Sequence, residues 1–221
     1  MSQAAYDAGL EAFRRTLDEE EAKAPNGNWR ASGRKTKKMP GGEDKSWWLS
    51  EGPRMVHNYY NWRMNNPNLE IWHTPEGVPA IELGVSVNLP GDITMKAYID
   101  RVFVDKQTNE TIVVDLKTGK PPAAALQLAM YRMALQEQFA TSPRYGAYWM
   151  GREGKLDSVH DLDKYPIPMV QRWMRDVSKA IQMGVFVPSV GILCGYCGVR
   201  QFCYAHGSTE YIPQFDSDLE K

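Results

Sequence analysis

Three β-rich runs follow one another in the middle of this chain, Ala80–Leu89, Ile93–Val104 and Glu110–Lys117, and they oblige whatever the helical remainder builds to pack on a sheet. Pro90-Gly91-Asp92 and Lys106-Gln107-Thr108-Asn109 join the runs and have the composition of hairpin connections. On either side the apolar period is helical. Residues 2–23 put Tyr6, Leu10, Phe13 and Leu17 on one face, and Ser50 to Asn66 is expected as a second helix, with Ser50 as N-cap and Pro67 beyond its end. A Pro/Gly/Asn stretch from Pro25 to Asn28, a basic segment and the Met39-Pro40-Gly41-Gly42 loop lie between them. After the strands, Pro121-Pro122 precedes a helix over Ala123–Phe139 with Leu126, Met130, Met133 and Phe139 as its apolar face. Tyr145–Met150 reads as a short strand and Pro166–Met183 as a last helix. The order predicts an α/β domain with a central mixed β-sheet flanked by helices. Three segments are expected: an N-terminal helix and basic loop (1–49), a core (50–190) and a C-terminal Cys-bearing tail (191–221).

The length of 221 residues favours one sizeable domain. A hydrophobic content of 43% with 24% charged residues is that of a soluble globular chain. No apolar run reaches membrane-spanning length, and the charged amphipathic N-terminal segment lacks the apolar stretch of a signal peptide. A cytoplasmic protein, with its three cysteines reduced, is therefore expected. The net charge of −1 supplies no global field for a polyanion. Any nucleic-acid contact must rest on local patches such as Arg34, Lys35, Lys37 and Lys38 followed by Trp47-Trp48, where cations meet phosphates and aromatics stack on unpaired bases.

The chemistry concentrates in the second and third runs. Asp100 and Asp115 each interrupt apolar strand sequence, where a carboxylate is costly unless paired or metal-bound. In Asp115-Leu116-Lys117 the first and third side chains share one face of a strand, because side chains alternate with period two. Carboxylates of this kind suit a hard cation, Mg²⁺ or Mn²⁺, which keeps several waters and binds through one or two carboxylates plus substrate phosphate. Such an ion provides a hydroxide nucleophile and screens phosphoryl charge, while the ammonium of Lys117 can hold the attacking water or stabilise the transition state. General-base catalysis alone supplies roughly 10²–10⁴-fold, short of the roughly 10⁶–10¹⁷-fold typical of enzymes. Gly119-Lys120 does not complete a phosphate-binding loop, which needs Gly at Val114 and Ser or Thr at Pro121. No ATPase signature accompanies the acidic pair.

Taken in order, five pieces resemble the RecB-like branch of the PD-(D/E)XK nucleases, which includes CRISPR-adaptation nucleases and phage recombination exonucleases. Gly52-Pro-Arg-Met-Val-His57 is similar to the G-x-x-x-H helix, Ile81-Glu82 to an acidic first-strand position, and Tyr98-Ile99-Asp100-Arg101 to G-x-I-D-R, with Ala97 in place of the usual glycine. Val114-Asp115-Leu116-Lys117-Thr118-Gly119-Lys120 is similar to D-x-K-T-G-K, and Gln127-Leu-Ala-Met-Tyr131 to Q-L-x-x-Y. The similarity runs over about residues 50–205. It implies a restriction-endonuclease-like core and a site in which His57, Asp100 and Asp115 hold the metal. Glu82, Lys117, Gln127 and Tyr131 complete it, the last two sharing a helix face at i and i+4.

The tail, Cys194-x₂-Cys197-x₅-Cys203, resembles the C-terminal cysteine trio of branch members that carry a [4Fe–4S] cluster, but the fourth cysteine of those proteins has no counterpart between Arg34 and Trp47. Three outcomes stay open: a cluster with a different or missing fourth ligand, a structural zinc using His206, or packed thiols without metal. The leading expectation for function is a metal-dependent DNA nuclease, an exonuclease at DNA ends in recombination, repair or phage DNA metabolism. The alternatives are a non-catalytic nucleic-acid-binding member and a nuclease subunit that works beside a recombination or helicase partner. DNA ends or single strands are the expected ligand, and no membrane is involved.

Overall fold

A computed structural model describes residues 2–23, 42–191, 194–195 and 197–207. The basic segment from Arg34 to Lys38 lies outside them. The chain divides into two compact units, one of Met1–Asn88 with Thr94–Ile167 and one of Leu89–Ile93 with Pro168–Lys221.

In the first unit, helices α1 (Gln3–Lys23) and α2 (Lys45–Asn65) precede the sheet. Helix α2 begins five residues before the expected Ser50. Its N-cap is Asp44, whose carboxylate accepts the Trp47 amide at 3.0 Å. Pro53, a residue favoured in a first turn, lies well inside the helix. Helices α1 and α2 meet closely at Gly52. A Cβ added there would lie 2.0 Å from Cζ of Phe13, so the absence of a side chain sets the approach of the two helices.

The sheet has seven strands: β1 (Leu69–Ile71), β2 (Ile81–Leu89), β3 (Ile93–Asp105), β4 (Thr111–Lys117), β5 (Tyr145–Met150), β6 (Lys155–Leu156) and β7 (His160–Asp161). Its central path is β1-β3-β4-β5-β6, with β2 paired to β3 and β7 to β5. The β4–β5 pair is parallel; β1–β3, β3–β4, β5–β6 and β5–β7 are antiparallel, so the sheet is mixed as expected. Helix α3 (Leu126–Phe139) makes the crossover that parallel pairing of β4 and β5 demands. It buries Leu128, Ala129, Met133, Ala134 and Leu135. Gly146 lets it sit low on the sheet, because a Cβ there would lie 3.1 Å from Val113 and 3.2 Å from Leu128. Another core cluster gathers Trp62, Phe103, Val114 and Trp149, with Arg63 over the Phe103 ring at 4.7 Å.

The second unit contains helix α4 from Pro168 onward (α4 spans Ile167–Gln182) and two 3₁₀ turns, Arg200–Phe202 and Tyr204–His206. The Tyr204 hydroxyl donates to the Phe186 carbonyl at 3.1 Å. No helix among the described residues is long and apolar enough to cross a membrane.

Candidate active site

The β3–β4 ladder ends at the pair Arg101↔Val114. One step further the same register would oppose Asp100 to Asp115, two carboxylates on neighbouring strands. There the side chain of Asp100 takes over a backbone role, and its Oδ2 accepts the Leu116 amide at 2.7 Å. This satisfies an N–H at the end of the ladder and fixes Asp100 beside Asp115.

Asp115 is only 2% exposed. Its Oδ1 accepts from Gln127 Nε2 at 2.9 Å and from the Tyr131 hydroxyl at 3.3 Å. Its Oδ2 lies 2.6 Å from Lys117 Nζ, an ion-pair distance. The pair is off the alignment of a hydrogen bond, however, and Oδ2 is buried without an aligned donor. Burial pushes the Asp115 carboxyl above its ordinary range and the neighbouring charge of Asp100 adds to this, against the opposing pull of Lys117. The i, i+2 placement of Asp115 and Lys117 on one strand face is thus realised, and α3 brings Gln127 and Tyr131 over the carboxylate from one helix face.

Gln127 links the group. Its Oε1 accepts from Lys117 Nζ at 3.2 Å while Nε2 donates to Asp115 and, at 2.8 Å, to the Tyr131 oxygen. Desolvation raises the Tyr131 phenol to about 12, with the nearby aspartates contributing, so it stays a protonated donor. Tyr148, opposite Asp115 on β5, is fully buried and lies 5.9 Å under the Lys117 ammonium. It was not singled out in the sequence; its signal was its place in the Tyr145–Met150 strand, which pairs beside Asp115.

Two expected participants lie apart from this group. His57 is on the exposed side of α2, edge-on to Tyr6 at 5.6 Å, and its Nε2 is engaged by Asn61 at 2.9 Å. Glu82, 64% exposed with φ of 49°, pairs with Arg101 Nη1 at 3.3 Å. Arg101 also reaches the Tyr59 hydroxyl at 3.3 Å. Arg152 escaped notice in the sequence. It joins Glu43 at 2.6 Å, the Trp47 ring at 4.8 Å and the Thr118 carbonyl, so it braces the segment just after Lys117. It stands 35 positions after Lys117 and is brought there by the parallel β4–β5 pairing.

The donor set at Asp100 and Asp115 fits a hard divalent cation: two adjacent carboxylates, one with a buried oxygen lacking an aligned donor. Among the described residues no three His, Cys, Asp or Glu side chains gather as a metal-binding group. His57 is therefore not brought together with the two aspartates. Nor are Cys194, Cys197, Cys203 and His206 arranged as a cluster or tetrahedral zinc would require. Cys194 Sγ instead accepts the Gly191 amide at 3.3 Å.

A model of the PD-(D/E)XK nuclease superfamily matches residues 3–204. The chain is 32% identical over 178 residues to the Gene 69 protein of Mycobacterium phage D29, a match covering 71% of this chain and 65% of that protein. It is 28% identical over 197 residues to the Gene 69 protein of Mycobacterium phage L5, covering 71% of this chain and 67% of that one. The chain thus spans just under two thirds of the D29 protein. The strand order, the paired carboxylates with their lysine and the family match agree: this chain belongs to the PD-(D/E)XK nuclease superfamily.

Proposed function

We propose that this nuclease-superfamily member is a Mg²⁺- or Mn²⁺-dependent deoxyribonuclease that hydrolyses phosphodiester bonds at DNA ends as an exonuclease, in recombination, repair or phage DNA metabolism. The observation that supports this best is Asp115, a carboxylate only 2% exposed, with one oxygen fixed by two donors and the other facing the Lys117 ammonium without an aligned hydrogen bond. A carboxylate placed this way is expensive for a fold, and strain of this sort is characteristic of sites that bind or react.

Asp100 and Asp115 would hold the cation, which when bound supplies an acidified water and screens the phosphoryl oxygens. The family resemblance implies His57 as a third ligand, but the described structure leaves it on the exposed side of α2, outside the group formed by the two aspartates. Gln127 and Tyr131 fix Asp115 Oδ1, so the carboxylate cannot rotate when substrate charge arrives. Lys117, held by Gln127 and Asp115, orients the attacking water or stabilises charge on the phosphoryl group. For the cysteine trio, which is not gathered into a metal-binding group among the described residues, three readings stand: a [4Fe–4S] cluster, a zinc completed by His206, or packed thiols without metal, the metal in either case a staple without electron transfer.

Purified protein should degrade linear DNA with Mn²⁺, and Asp115→Ala or Lys117→Ala should abolish this. Full cleavage by either variant would refute the assignment. A second reading, a nuclease subunit completed by a recombination or helicase partner, is favoured by the absence of a three-ligand group among the described residues. It predicts cleavage only when such a partner is added.

A further inference from the structure

The hairpin of β2 and β3 keeps one face dry and the other wet. On β2, Leu83, Val85 and Val87 are buried, and the exposed Gly84, Ser86 and Asn88 alternate with them. On β3, Met95 and Ile99 are buried, while Thr94, Lys96 and Tyr98 are exposed. Three cross-strand contacts fix the pairing. The Thr94 hydroxyl donates to Asn88 Oδ1 at 3.0 Å, a Cβ added at Gly84 would lie 3.4 Å from the Tyr98 ring, and the Val102 amide donates to the Ala80 carbonyl at 3.1 Å. All three fit one antiparallel register, and the positive φ of Glu82 between them does not shift it.

Strand β3 is therefore regular from Thr94 to Val102, and its side chains two positions apart share a face. Tyr98 and Lys96 accordingly lie on the side of the sheet that carries Asp100, and the β3–β4 register puts Asp115 and Lys117 on that side too. At a rise of about 3.4 Å per residue, Tyr98 stands about 7 Å from Asp100 along the strand and Lys96 about 13 Å. Tyr98 is 72% exposed. A lone exposed aromatic is ordinary, but this ring sits across from a glycine, which has no side chain to cover it, and in line with the carboxylates. The row running outward from Asp100 is thus an aromatic face followed by an ammonium. Those are the two groups that hold an unpaired nucleic-acid strand: a base stacks on the ring and a phosphate meets the cation.

We propose that this face of the β2–β3 hairpin is a track for single-stranded DNA leading to the carboxylates, with a base beside the scissile phosphate stacked on Tyr98 and a phosphate further out held by Lys96. The proposal rests on the nuclease reading for its substrate. A base within a duplex is paired and stacked on both faces, so Tyr98 takes only an unpaired one, and the track selects frayed ends and single strands. It is indifferent to sequence, because every base offers a π-face. Tyr98 and Lys96 bind and position the strand and take no part in the chemistry.

The test measures binding and cleavage separately. Anisotropy of a labelled oligodeoxyadenylate is followed in chelator, with and without abasic sites at its terminal nucleotides, and compared with a blunt duplex. Tyr98→Leu should weaken binding of the intact single strand roughly 5- to 150-fold, the range for loss of one base–aromatic stack, and leave the duplex unchanged. Tyr98→Phe keeps the ring and should bind like the unaltered protein. The abasic strand should show the same loss with the unaltered protein, which needs no variant to fold, and Tyr98→Leu should cost nothing further on it. Lys96→Gln should reduce the slope of log affinity against log salt by about 0.7, the share of one phosphate on a single strand. If Tyr98 only covers Gly84, Tyr98→Leu lowers Tm and leaves single-strand affinity intact, which overturns the track. Equal affinity for intact and abasic strands overturns it too, as does an unchanged salt slope or no binding of the single strand at all. Cleavage with Mn²⁺ but no abasic penalty removes the track and leaves the nuclease reading standing. An abasic penalty with no cleavage under any divalent metal does the reverse.

Discussion

Exchanging Gln127 for Glu keeps the shape of the side chain and the oxygen that faces Lys117, but turns the amide nitrogen into a carboxylate oxygen. That nitrogen donates to Asp115 Oδ1 at 2.9 Å and to Tyr131 at 2.8 Å. A hydrogen bond to a charged group contributes about 1.5–3 kcal/mol, so its loss alone should lower the single-turnover cleavage rate about 10- to 150-fold if the bond positions Asp115. The exchange also sets a second negative charge against a buried one. At 2.9 Å and an effective dielectric of about 20 the repulsion is of order 6 kcal/mol. The site can relieve most of this by sharing a proton between the two carboxyls. That proton competes with a divalent cation at neutral pH, so cleavage by Q127E should recover in part as pH rises. Gln127→Met removes the donor without adding charge and should show the rate loss without the displaced pH profile. Single-turnover cleavage of linear DNA at saturating Mn²⁺, from pH 6 to about 9, with circular dichroism to verify folding, is sufficient. Wild-type rate and pH profile in Q127E would show that Gln127 positions nothing.

Other expectations concern stability and the tail. The Asp115 carboxyl is raised in the folded state by burial, so its contribution favours folding below the ordinary carboxylate range and is lost as pH rises through the folded value; at neutral pH the ionised form costs stability. Asp115→Asn should therefore raise Tm in chelator at pH 7 while abolishing cleavage, with the gain shrinking toward acid pH, and a lower Tm would contradict the burial argument. Gly52→Ala must displace the Phe13 ring, at about 1–3 kcal/mol, against a helix-propensity gain of about 1 kcal/mol. In a Phe13→Ala background the same change should turn stabilising, and urea melts showing no coupling between the two sites would rule out the tight crossing. Cys197→Ser should keep wild-type DNA cleavage if the trio only staples the tail; loss of cleavage with iron or zinc content in step would tie the tail to the reaction.

The reach of sequence reasoning here follows from interaction range. Asp115 and Lys117, and Gln127 and Tyr131, are pairs whose facing follows from strand and helix periodicity, so their convergence was legible before any coordinates. The strands β2 to β5 carry long enough apolar patterns to be read as well. Strands β1, β6 and β7 have three residues or fewer and owe their existence to pairing partners, not to a period of their own. The start of α2 was misplaced because Ser50 and Asp44 are both good N-cap residues, and only the Asp44 carboxylate's bond to the Trp47 amide shows which one caps. Arg152 could not be found by pattern at all. Its meaning depends on two separate stretches, Glu43 with Trp47 and Thr118, arriving together.

The bond from the Leu116 amide to Asp100 ties the protein's own sheet to the atoms a cation would recruit. When a divalent ion draws on the same carboxylate, electron density is withdrawn from the oxygen that holds this amide, and the bond weakens. Hydrogen exchange at Leu116 should then quicken as metal is added, even though most amides slow when a ligand stabilises the fold. A single backbone proton in β4 would thus report occupancy of the site from within the sheet.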